Sequence, residues 1–388
     1  MTHASLAPRI APPERRRHRP SVAIDVRLAD APGIGTYLRN LVPRVIAARP
    51  SWRFLLLGDA STIERAGWSA LHNVGVRQIA ASIYSVSEQA ALRPRRDARV
   101  DAFWSPHYNV PLWGRAPLVV TVHDLIHLAR PEFTQHAAKR AYARLMFQSI
   151  RRRAAAILAV SEFTKSEFLR LVGTPSGRIT VVHNGVDTWW SRGSNASASR
   201  PSAPYIICVS SLKPHKNLGA LIDAFTTLRD RIPHNLLIVG RIDGMRTVDT
   251  AVIARARAHG DRLQLLGEVS DFALRSLIAG ATALVHPSHY EGFGLPPLEA
   301  MAAGCPCLVS RTTAMPEICG AAALYCDPLD TADIASRLYQ LVMDHRLRSD
   351  LVVHGRARAA QFQWSRAAEF TLEALDQAVA RVRTGSAV

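Results

Sequence analysis

The stretch from His286 to Gly304 holds residues whose types and spacing suggest ligand chemistry. An apolar run ends there, a Gly-Phe-Gly turn follows at 292–294, and two prolines open a helical pattern. Prolines suit the first turn of a helix, and the N–H groups of such a turn bind anions. Glu291 and Glu299 flank this turn, and carboxylates accept hydrogen bonds from vicinal hydroxyls. The pattern favours a sugar or ribose attached to phosphate, with an ordinary strand-to-helix turn as the alternative.

Apolar runs alternate with amphipathic segments along the whole chain. Continuous apolar runs are typical of strands buried on both faces of a parallel sheet. In the first half we predict strands at Val22–Val26, Phe54–Leu57, Val74–Ile79, Ala102–Trp104, Leu118–Val122, Ala155–Val160 and Ile179–Val182, and helices at Ile34–Ala48 and Thr134–Ala154. In the second half we predict strands at Tyr205–Val209, Leu236–Val239, Leu263–Leu266, Ala283–Val285, Cys307–Val309 and Leu324–Cys326, and helices at Leu218–Arg229, Val248–His259, Ser270–Gly280, Pro296–Ala303 and Thr331–Met343. This rhythm predicts an α/β protein of two Rossmann-like, doubly wound domains, with ligands at the carboxyl ends of the strands.

Composition shifts divide the chain into five segments. Residues 1–20 are polar and rich in arginine, which predicts a flexible basic tail. Residues 21–190 form the first predicted domain, and residues 191–204 form a linker of small polar residues and prolines. Residues 205–364 form the second domain. The last segment, 365–388, has a helical pattern and is a candidate to cross back to the first domain.

The net charge of +17 comes almost entirely from the first 200 residues, which carry 29 Lys and Arg against 13 Asp and Glu. This excess suggests contact with anionic lipid or a diphosphate-linked acceptor, and solvated arginine faces are the alternative. Nucleic-acid binding is disfavoured because the arginines are scattered and no aromatic–basic motif accompanies them. No apolar stretch is long enough to span a membrane, so we expect a cytoplasmic protein, at most peripheral on the inner face of the membrane.

The five cysteines all lie in the second half, at 208, 305, 307, 319 and 326. They form no Cys-x-x-Cys pair, so structural zinc is not expected. An odd number on a long chain is typical of reduced, buried thiols.

The Glu-x7-Glu spacing of Glu291 and Glu299 resembles the signature of glycosyltransferase family 4, retaining transferases of the GT-B fold. Seven further motifs follow that family's order and spacing: Pro32–Leu38, Val122–Leu125, Val160–Thr164, His183–Asp187, Lys213–Leu218, Leu266–Val269 and Met315–Glu317. One such motif would be weak evidence, but seven in order are specific. The resemblance covers nearly the whole chain and implies a GT-B fold with two Rossmann-like domains facing a cleft.

The resemblance implies roles for residues of the second domain. Lys216 would bind the donor diphosphate and stabilise the leaving charge. Ser211 would lie on the same donor side, at a position where the family often has an arginine. Glu299 would bind the nucleotide ribose, and Glu291 would accept hydrogen bonds from the donor sugar. The remaining donor contacts would come from Val269 at the nucleobase and from the backbone of Phe293, Gly294 and Leu295.

The same resemblance implies two contributions from the first domain. Gly33 and Gly35 would approach the diphosphate from across the cleft; their spacing is not a dinucleotide fingerprint, because Leu38 stands where a third glycine would be. His123, at the end of a predicted strand, would hold the donor sugar or its transition state as a catalytic residue beside Lys216 and Glu291. Asp124 is a candidate to orient the ring of His123.

The chain has no Asp-x-Asp motif to clamp a metal on a diphosphate, so we expect no metal and no cofactor. The family resemblance implies front-face substitution, with the leaving phosphate taking the proton of the acceptor. The start of the chain around Asp25-Val-Arg27 and the stretch Phe103–Tyr108 resemble bacterial mannosyltransferases of surface polysaccharide synthesis. We therefore expect GDP-mannose as donor and a growing glycan or polyprenyl-diphosphate-linked saccharide as acceptor.

Three alternatives remain open from the sequence. A family-4-like protein could bind ligand or act as a scaffold without turnover, a reading that the missing arginine at Ser211 keeps open. A nucleic-acid-binding protein would explain the positive net charge but no other feature of the sequence. A sugar-nucleotide epimerase would share the fold, but the Glu-x7-Glu context argues against it.

Overall fold

The computed structural model describes residues 19–93, 100–134, 137–191, 203–241, 250–258 and 260–384. Most of the predicted tail, 1–20, and most of the predicted linker, 191–204, lie outside these ranges. Within them the chain forms two parallel sheets, each covered by helices on both faces.

The first sheet has seven strands in the described residues. They are β1 (Ser21–Asp25), β2 (Arg53–Gly58), β3 (Val74–Gln78), β4 (Ala102–Ser105), β5 (Leu118–Val122), β6 (Ala154–Ala159) and β7 (Ile179–Val181), in the order β3-β2-β1-β4-β5-β6-β7. All neighbouring pairs are parallel. Every residue of the interior strand β5 is buried, because helices cover both faces of the sheet.

The helices of this half are α1 (Ile34–Ala48), α2 (Ala60–Arg65), α3 (Val86–Ala91), α4 (Ile126–Ala129), α5 (Ala137–Arg153) and α6 (Glu162–Leu171). Side-chain caps begin three of them: Asp59, Ser85 and Ser161 each accept a hydrogen bond from a backbone N–H of the first turn. The helix predicted at 134–154 begins at Ala137 and ends one residue earlier, because Ala154 already belongs to β6.

The second sheet contains β8 (Tyr205–Val209), β9 (Asn235–Val239), β10 (Leu263–Gly267), β11 (Ala283–His286), β12 (Cys307–Ser310) and β13 (Leu324–Cys326), in the order β10-β9-β8-β11-β12-β13. Its helices are α7 (Leu218–Leu228), α8 (Thr250–Ala258), α9 (Asp271–Gly280), α10 (Leu295–Ala303), α11 (Met315–Cys319), α12 (Thr331–Met343) and α13 (His345–Ala359). Sequence analysis missed α13. Only Leu351, Gly355 and Ala359 of this helix are buried, so it has no continuous apolar stripe to reveal it.

The last helix, α14 (Trp364–Thr384), packs against the first sheet although it follows the second one in the chain. Trp364, Leu375 and Val379 share a core with Ile24 and Tyr37. Two segments of the chain join the halves, and they contact each other: the N–H of Val186 donates to the carbonyl of Phe362 at 3.0 Å. The chain therefore connects the two halves twice.

The five cysteines are buried and unpaired, and burial raises the pKa of Cys208 to about 12. None of the helices in the described residues combines the length and the apolarity needed to cross a bilayer.

Candidate active site

Glu291 and Lys216 form the centre of the site, at the carboxyl edge of the second sheet. The Nζ of Lys216 donates to Oε1 of Glu291 at 2.6 Å, and Nε2 of His286 donates to the same oxygen at 2.7 Å. Both side chains of the pair are mostly buried, with 18% of Lys216 and 12% of Glu291 exposed. Among the described residues no hydrogen bond is made by Oε2 of Glu291, so this oxygen can accept one from a ligand hydroxyl.

The charge of Glu291 is set by its two partners. Burial raises the pKa of this carboxyl, but the positive charge of Lys216 and the hydrogen bond from His286 outweigh burial and hold the pKa well below its ordinary value. Glu291 is therefore ionised at neutral pH and accepts hydrogen bonds, which suits sugar hydroxyls and does not suit a general acid. A cation and an acceptor carboxylate in contact match a ligand with a phosphate next to hydroxyls.

Two residues with positive φ hold this pair in place. Asn217 (φ 59°) follows Lys216 directly, and its amide donates to the carbonyls of Pro287 at 3.1 Å and Pro328 at 2.7 Å. Thr313 (φ 60°) accepts a hydrogen bond from the N–H of Glu291 at 3.2 Å. Positive φ is unusual for residues with a Cβ, and here it turns the loops after β8 and β12 towards the end of β11.

The glycine-rich turn joins the second domain to the first. The Cα of Gly292 lies so close to the carbonyl of His123 that any Cβ would collide with it. The Gly292 carbonyl accepts hydrogen bonds from Ser161 Oγ at 2.6 Å and Thr164 Oγ1 at 3.1 Å. Gly294 caps α10 with φ 112°, a backbone conformation that residues with a Cβ rarely adopt. The turn therefore requires glycine at both positions.

The backbone N–H groups of 293–295 lie at the start of α10, as the sequence predicts. The ring of Phe293 points away into the core, where it packs near Phe362 and His183. Only the backbone of this residue is therefore available to an anion at the helix start.

His123 lies at the end of β5, with its ring held by the first domain. Its Nε2–H donates to the carbonyl of Pro106 at 2.8 Å, and the ring meets Tyr37 edge to face at 4.8 Å between centroids. Burial lowers the pKa of His123 to about 4, so the ring is neutral and its Nδ1 is an acceptor. The predicted bond from Asp124 to this ring is not made, because Oδ1 of Asp124 accepts from the N–H of Ile126.

Glu299 lies on α10 between charges of both domains. Burial and the charge of Asp271 raise the pKa of its carboxyl to about 7, although Arg39 of α1 opposes them. Gly33, the predicted donor contact, is the N-terminal cap of this same α1, with φ 74°. Gly35 packs against the carbonyl of Ala29 and has no space for a Cβ. The start of α1 and Glu299 thus face each other across the domain boundary.

The other two predicted donor residues lie in loops at the carboxyl edge of the second sheet. Ser211 follows β8, and its carbonyl accepts from the N–H of Lys213 at 2.8 Å. Val269 follows β10 and packs partly buried against the core of the second domain. Neither side chain contacts Lys216 or Glu291 through a hydrogen bond among those described, so their roles stay predictions.

Sequence analysis assigned no role to three residues that the fold brings to the site. His286 bonds to Glu291. Lys213 faces the cleft, where burial and the nearby charge of Lys216 lower its pKa. Glu317 accepts from the first two N–H groups of α6, at 2.8 and 3.0 Å, and from His183 at 2.7 Å, so it ties the two domains together. In the sequence, these three residues are marked only by their place within the motif stretches quoted above.

The described residues contain no group of three or more His, Cys, Asp or Glu side chains placed to hold a metal ion. Lys216 and the start of α10 are the positive groups described at the centre of the site.

Comparison with known proteins identifies the family. The model of Glycosyltransferase Family 4 matches residues 33–190, and the model of Glycosyl transferases group 1 matches residues 193–358. O-antigen chain mannosyltransferase B of Escherichia coli is 30% identical over 366 residues, which cover 88% of this chain and 95% of that protein. O-antigen chain mannosyltransferase RfbU of Salmonella typhimurium is 31% identical over 226 residues, which cover 58% of this chain and 60% of that protein.

A solved structure with the same fold is that of Anabaena Alr3699/HepE in complex with UDP-glucose, with a TM-score of 0.73, 18% identity, and coverage of 92% of this chain and 99% of that one. This likeness confirms the GT-B fold. With both family models in succession and a relative 30% identical over most of its length, the chain is a glycosyltransferase and belongs to glycosyltransferase family 4.

Proposed function

We propose that this glycosyltransferase moves mannose from GDP-mannose to a growing surface-polysaccharide chain, with retention of the anomeric configuration. The observation that carries the proposal is the contact between Lys216 and Glu291 beside the N-terminus of α10. The names of the two O-antigen mannosyltransferases support mannose as the sugar.

The donor diphosphate would lie between Lys216 and the backbone N–H groups at the start of α10. Both stabilise negative charge, and that charge grows as the bond between the sugar C1 and the phosphate oxygen breaks. Glu291 would accept hydrogen bonds from the sugar hydroxyls and hold the ring in place. The neutral His123 would accept a further hydroxyl at Nδ1.

The acceptor hydroxyl would attack C1 on the same face of the sugar ring from which the leaving group departs. Its oxygen forms the new bond to C1, the leaving diphosphate keeps the electron pair, and a phosphate oxygen takes the proton of the acceptor. No protein base is then needed. The protein contributes position and charge stabilisation, which together provide large rate enhancements.

We infer that the acceptor is a saccharide carried on a polyprenyl diphosphate at the inner face of the membrane. The basic character of the first half supports this, since its cationic residues would attract both anionic lipid and a diphosphate. Six basic residues of α5 contribute to this excess: Lys139, Arg140, Arg144, Arg151, Arg152 and Arg153.

A donor screen tests the function. Purified protein is mixed with GDP-mannose, GDP, UDP-glucose and ADP-glucose, and thermal stability and slow donor hydrolysis are measured. We expect GDP-mannose to raise the melting temperature and to be hydrolysed, and NMR of the product to find the α-anomer. Stabilisation without hydrolysis or transfer would favour a non-catalytic ligand-binding protein. No stabilisation by any nucleotide would overturn the proposal.

We expect turnover to be independent of added metal, because Lys216 and the helix N-terminus supply the positive charge at the diphosphate. Transfer in excess EDTA should match transfer in buffer without chelator. Added Mg²⁺ should leave the rate unchanged. A reversible loss of activity with chelator, restored by a divalent cation, would contradict the proposal.

Binding of the donor should weaken as the pH falls, because Glu299 must be ionised to accept hydrogen bonds from the ribose hydroxyls. Its pKa in the free protein is raised to about 7, so the carboxyl is mostly protonated at pH 6 and must lose a proton on binding. One such proton weakens GDP-mannose binding about tenfold between pH 8 and pH 6. Isothermal titration of the wild type and of Glu299→Gln checks this. The variant should bind with little dependence on pH, and an equally steep dependence in both proteins would refute the role.

A further inference from the structure

Three tyrosines of the first domain form an aromatic cluster that the roles above do not use. We call Tyr84, Tyr108 and Tyr142 the tyrosine platform. The ring of Tyr84 lies 6.1 Å from that of Tyr108 and 5.6 Å from that of Tyr142, between centroids. The Tyr108 hydroxyl donates to the Tyr84 hydroxyl at 2.9 Å. The ammonium of Lys139 lies 5.6 Å from the centre of the Tyr84 ring.

Tyr84 has an unfavourable backbone and an exposed ring. Its φ is 70°, which is rare for a bulky residue, and 40% of its surface is open to solvent. Burial of the ring therefore does not compensate for the backbone conformation. Strained residues of this kind persist where the surroundings hold them, and they cluster at ligand sites.

A buried ion network holds Tyr84 in this conformation. Glu88, which is fully buried, accepts from the N–H of Tyr84 at 2.8 Å and from the Tyr142 hydroxyl at 3.1 Å. Arg27 donates to Glu88 at 2.8 Å, and it also forms two hydrogen bonds with the carboxylate of Asp25. Burying this many charges is costly, and here the network fixes the position of an exposed aromatic side chain.

The platform lies at the same sheet edge as the active site. Tyr84 follows the carboxyl end of β3, and Tyr108 follows that of β4. The ring of Tyr108 lies 6.0 Å from that of His127, four residues after His123. Burial and the charges of Lys139 and Lys213 lower the pKa of His127 to about 4, although Asp124 opposes them. The platform therefore lies on the first domain, beside the cleft between the two domains.

We propose that the tyrosine platform binds the terminal sugar of the acceptor, with the pyranose ring stacked on Tyr84 and its hydroxyls bonded to Lys139 and the tyrosine hydroxyls. A tyrosine offers an apolar face and a polar tip, which matches the C–H face and the hydroxyl rim of a sugar. Arg27 and Glu88 are positioning residues for this site. The proposal rests on the proposed function for the identity of the reaction, but saccharide binding by itself does not require turnover.

The variant Tyr84→Gly tests the proposal. Glycine adopts a positive φ without strain, so this change removes the ring and should leave the melting temperature equal or higher. The matched control is Trp113→Ala, because Trp113 is also exposed, at 61%, but lies in the loop that leads into β5, at the opposite sheet edge. Each protein is assayed for binding of a fluorescent, soluble mannose oligosaccharide by anisotropy and for transfer to the same oligosaccharide from GDP-mannose.

We expect Tyr84→Gly to raise the Kd and the KM for the oligosaccharide about tenfold, with GDP-mannose binding and donor hydrolysis unchanged and the melting temperature not lowered. Tyr84→Phe should recover most of the affinity, and Trp113→Ala should behave as the wild type. If the wild type binds the oligosaccharide through Tyr84 but does not transfer sugar to it, the platform is supported and the proposed function is refuted.

Other outcomes would overturn the platform. One is an unchanged oligosaccharide Kd in Tyr84→Gly, and another is no oligosaccharide binding by the wild type. A third is a loss of GDP-mannose affinity in Tyr84→Gly as large as its loss of oligosaccharide affinity, which would assign the ring to the donor. Loss of binding to phosphatidylglycerol vesicles with unchanged oligosaccharide binding would also overturn it, because the ring would then contact lipid.

Discussion

Replacing Glu291 with alanine is expected to lower kcat/KM for sugar transfer at least about 100-fold, the range found when a preorganised polar contact to the reacting group is removed. The change removes the acceptor of the donor-sugar hydroxyls. It also leaves Lys216 without its anion, and a partly buried cation without a partner destabilises the fold. Steady-state kinetics with GDP-mannose and a soluble acceptor measure the effect.

Two further variants separate catalysis from folding. Glu291→Gln keeps the shape and one oxygen that can accept from Lys216 and His286, so it should destabilise the fold less than alanine does. Its NH₂ group replaces the second acceptor oxygen, so most activity should be lost. Asp223→Ala breaks a different ion pair of the second domain, between exposed Asp223 and Arg255, and should have little effect on rate. Near-normal transfer by folded Glu291→Gln would remove Glu291 from the reaction.

Replacing Lys216 with alanine is expected to lower kcat by about 1,000-fold, because the ammonium stabilises the negative charge that develops on the leaving diphosphate. This charge is smaller in the ground state, so the ammonium stabilises the transition state more than the bound donor. Donor affinity should fall less than kcat. Lys216→Arg keeps the charge and should recover part of the rate. Lys165→Ala, at a partly exposed lysine of the first domain paired with Glu162, is the control and should transfer normally.

The double variant Lys216→Ala, Glu291→Ala tests whether the pair acts as one unit. Residues in contact have non-additive effects, so the double variant should lose much less than the product of the two single losses. Strictly multiplicative losses would indicate that the two side chains act on separate parts of the ligand. An unimpaired Lys216→Ala protein would contradict the role of the ammonium at the diphosphate.

The fold could be predicted from local patterns because each strand is buried on both faces. Such strands appear in the sequence as short apolar runs, and each predicted strand has a counterpart in the structure. Several helices were not predicted. Among them α13 has only a narrow buried face, which leaves no broad apolar stripe in the sequence. The predicted turn at 292–294 also matches the structure, since positive φ and close approach leave glycine as the residue that fits.

Contacts between distant parts of the chain could not be predicted in this way. Glu291 and Lys216 are 75 residues apart, and sequence analysis gave them separate tasks, whereas the fold places them in one hydrogen bond. Asp124 was expected to orient His123, but the carbonyl of Pro106 accepts the hydrogen bond from the ring. A hydrogen bond of this kind depends on which loops meet at the sheet edge, and no periodicity records that.

The motifs of the sequence pointed to the family by resemblance, and the family models confirm it. The sequence by itself also determined the two-domain α/β fold and the residues of the glycine-rich turn, because apolar periodicity and glycine requirements are local properties. The tertiary structure decided which charges neutralise each other, which histidine bonds to Glu291, and that Tyr84 stands exposed on a buried network of Arg27 and Glu88. These features depend on distances between loops from different strands. Their free energies come from burial and charge, which exist only once both sheets are assembled.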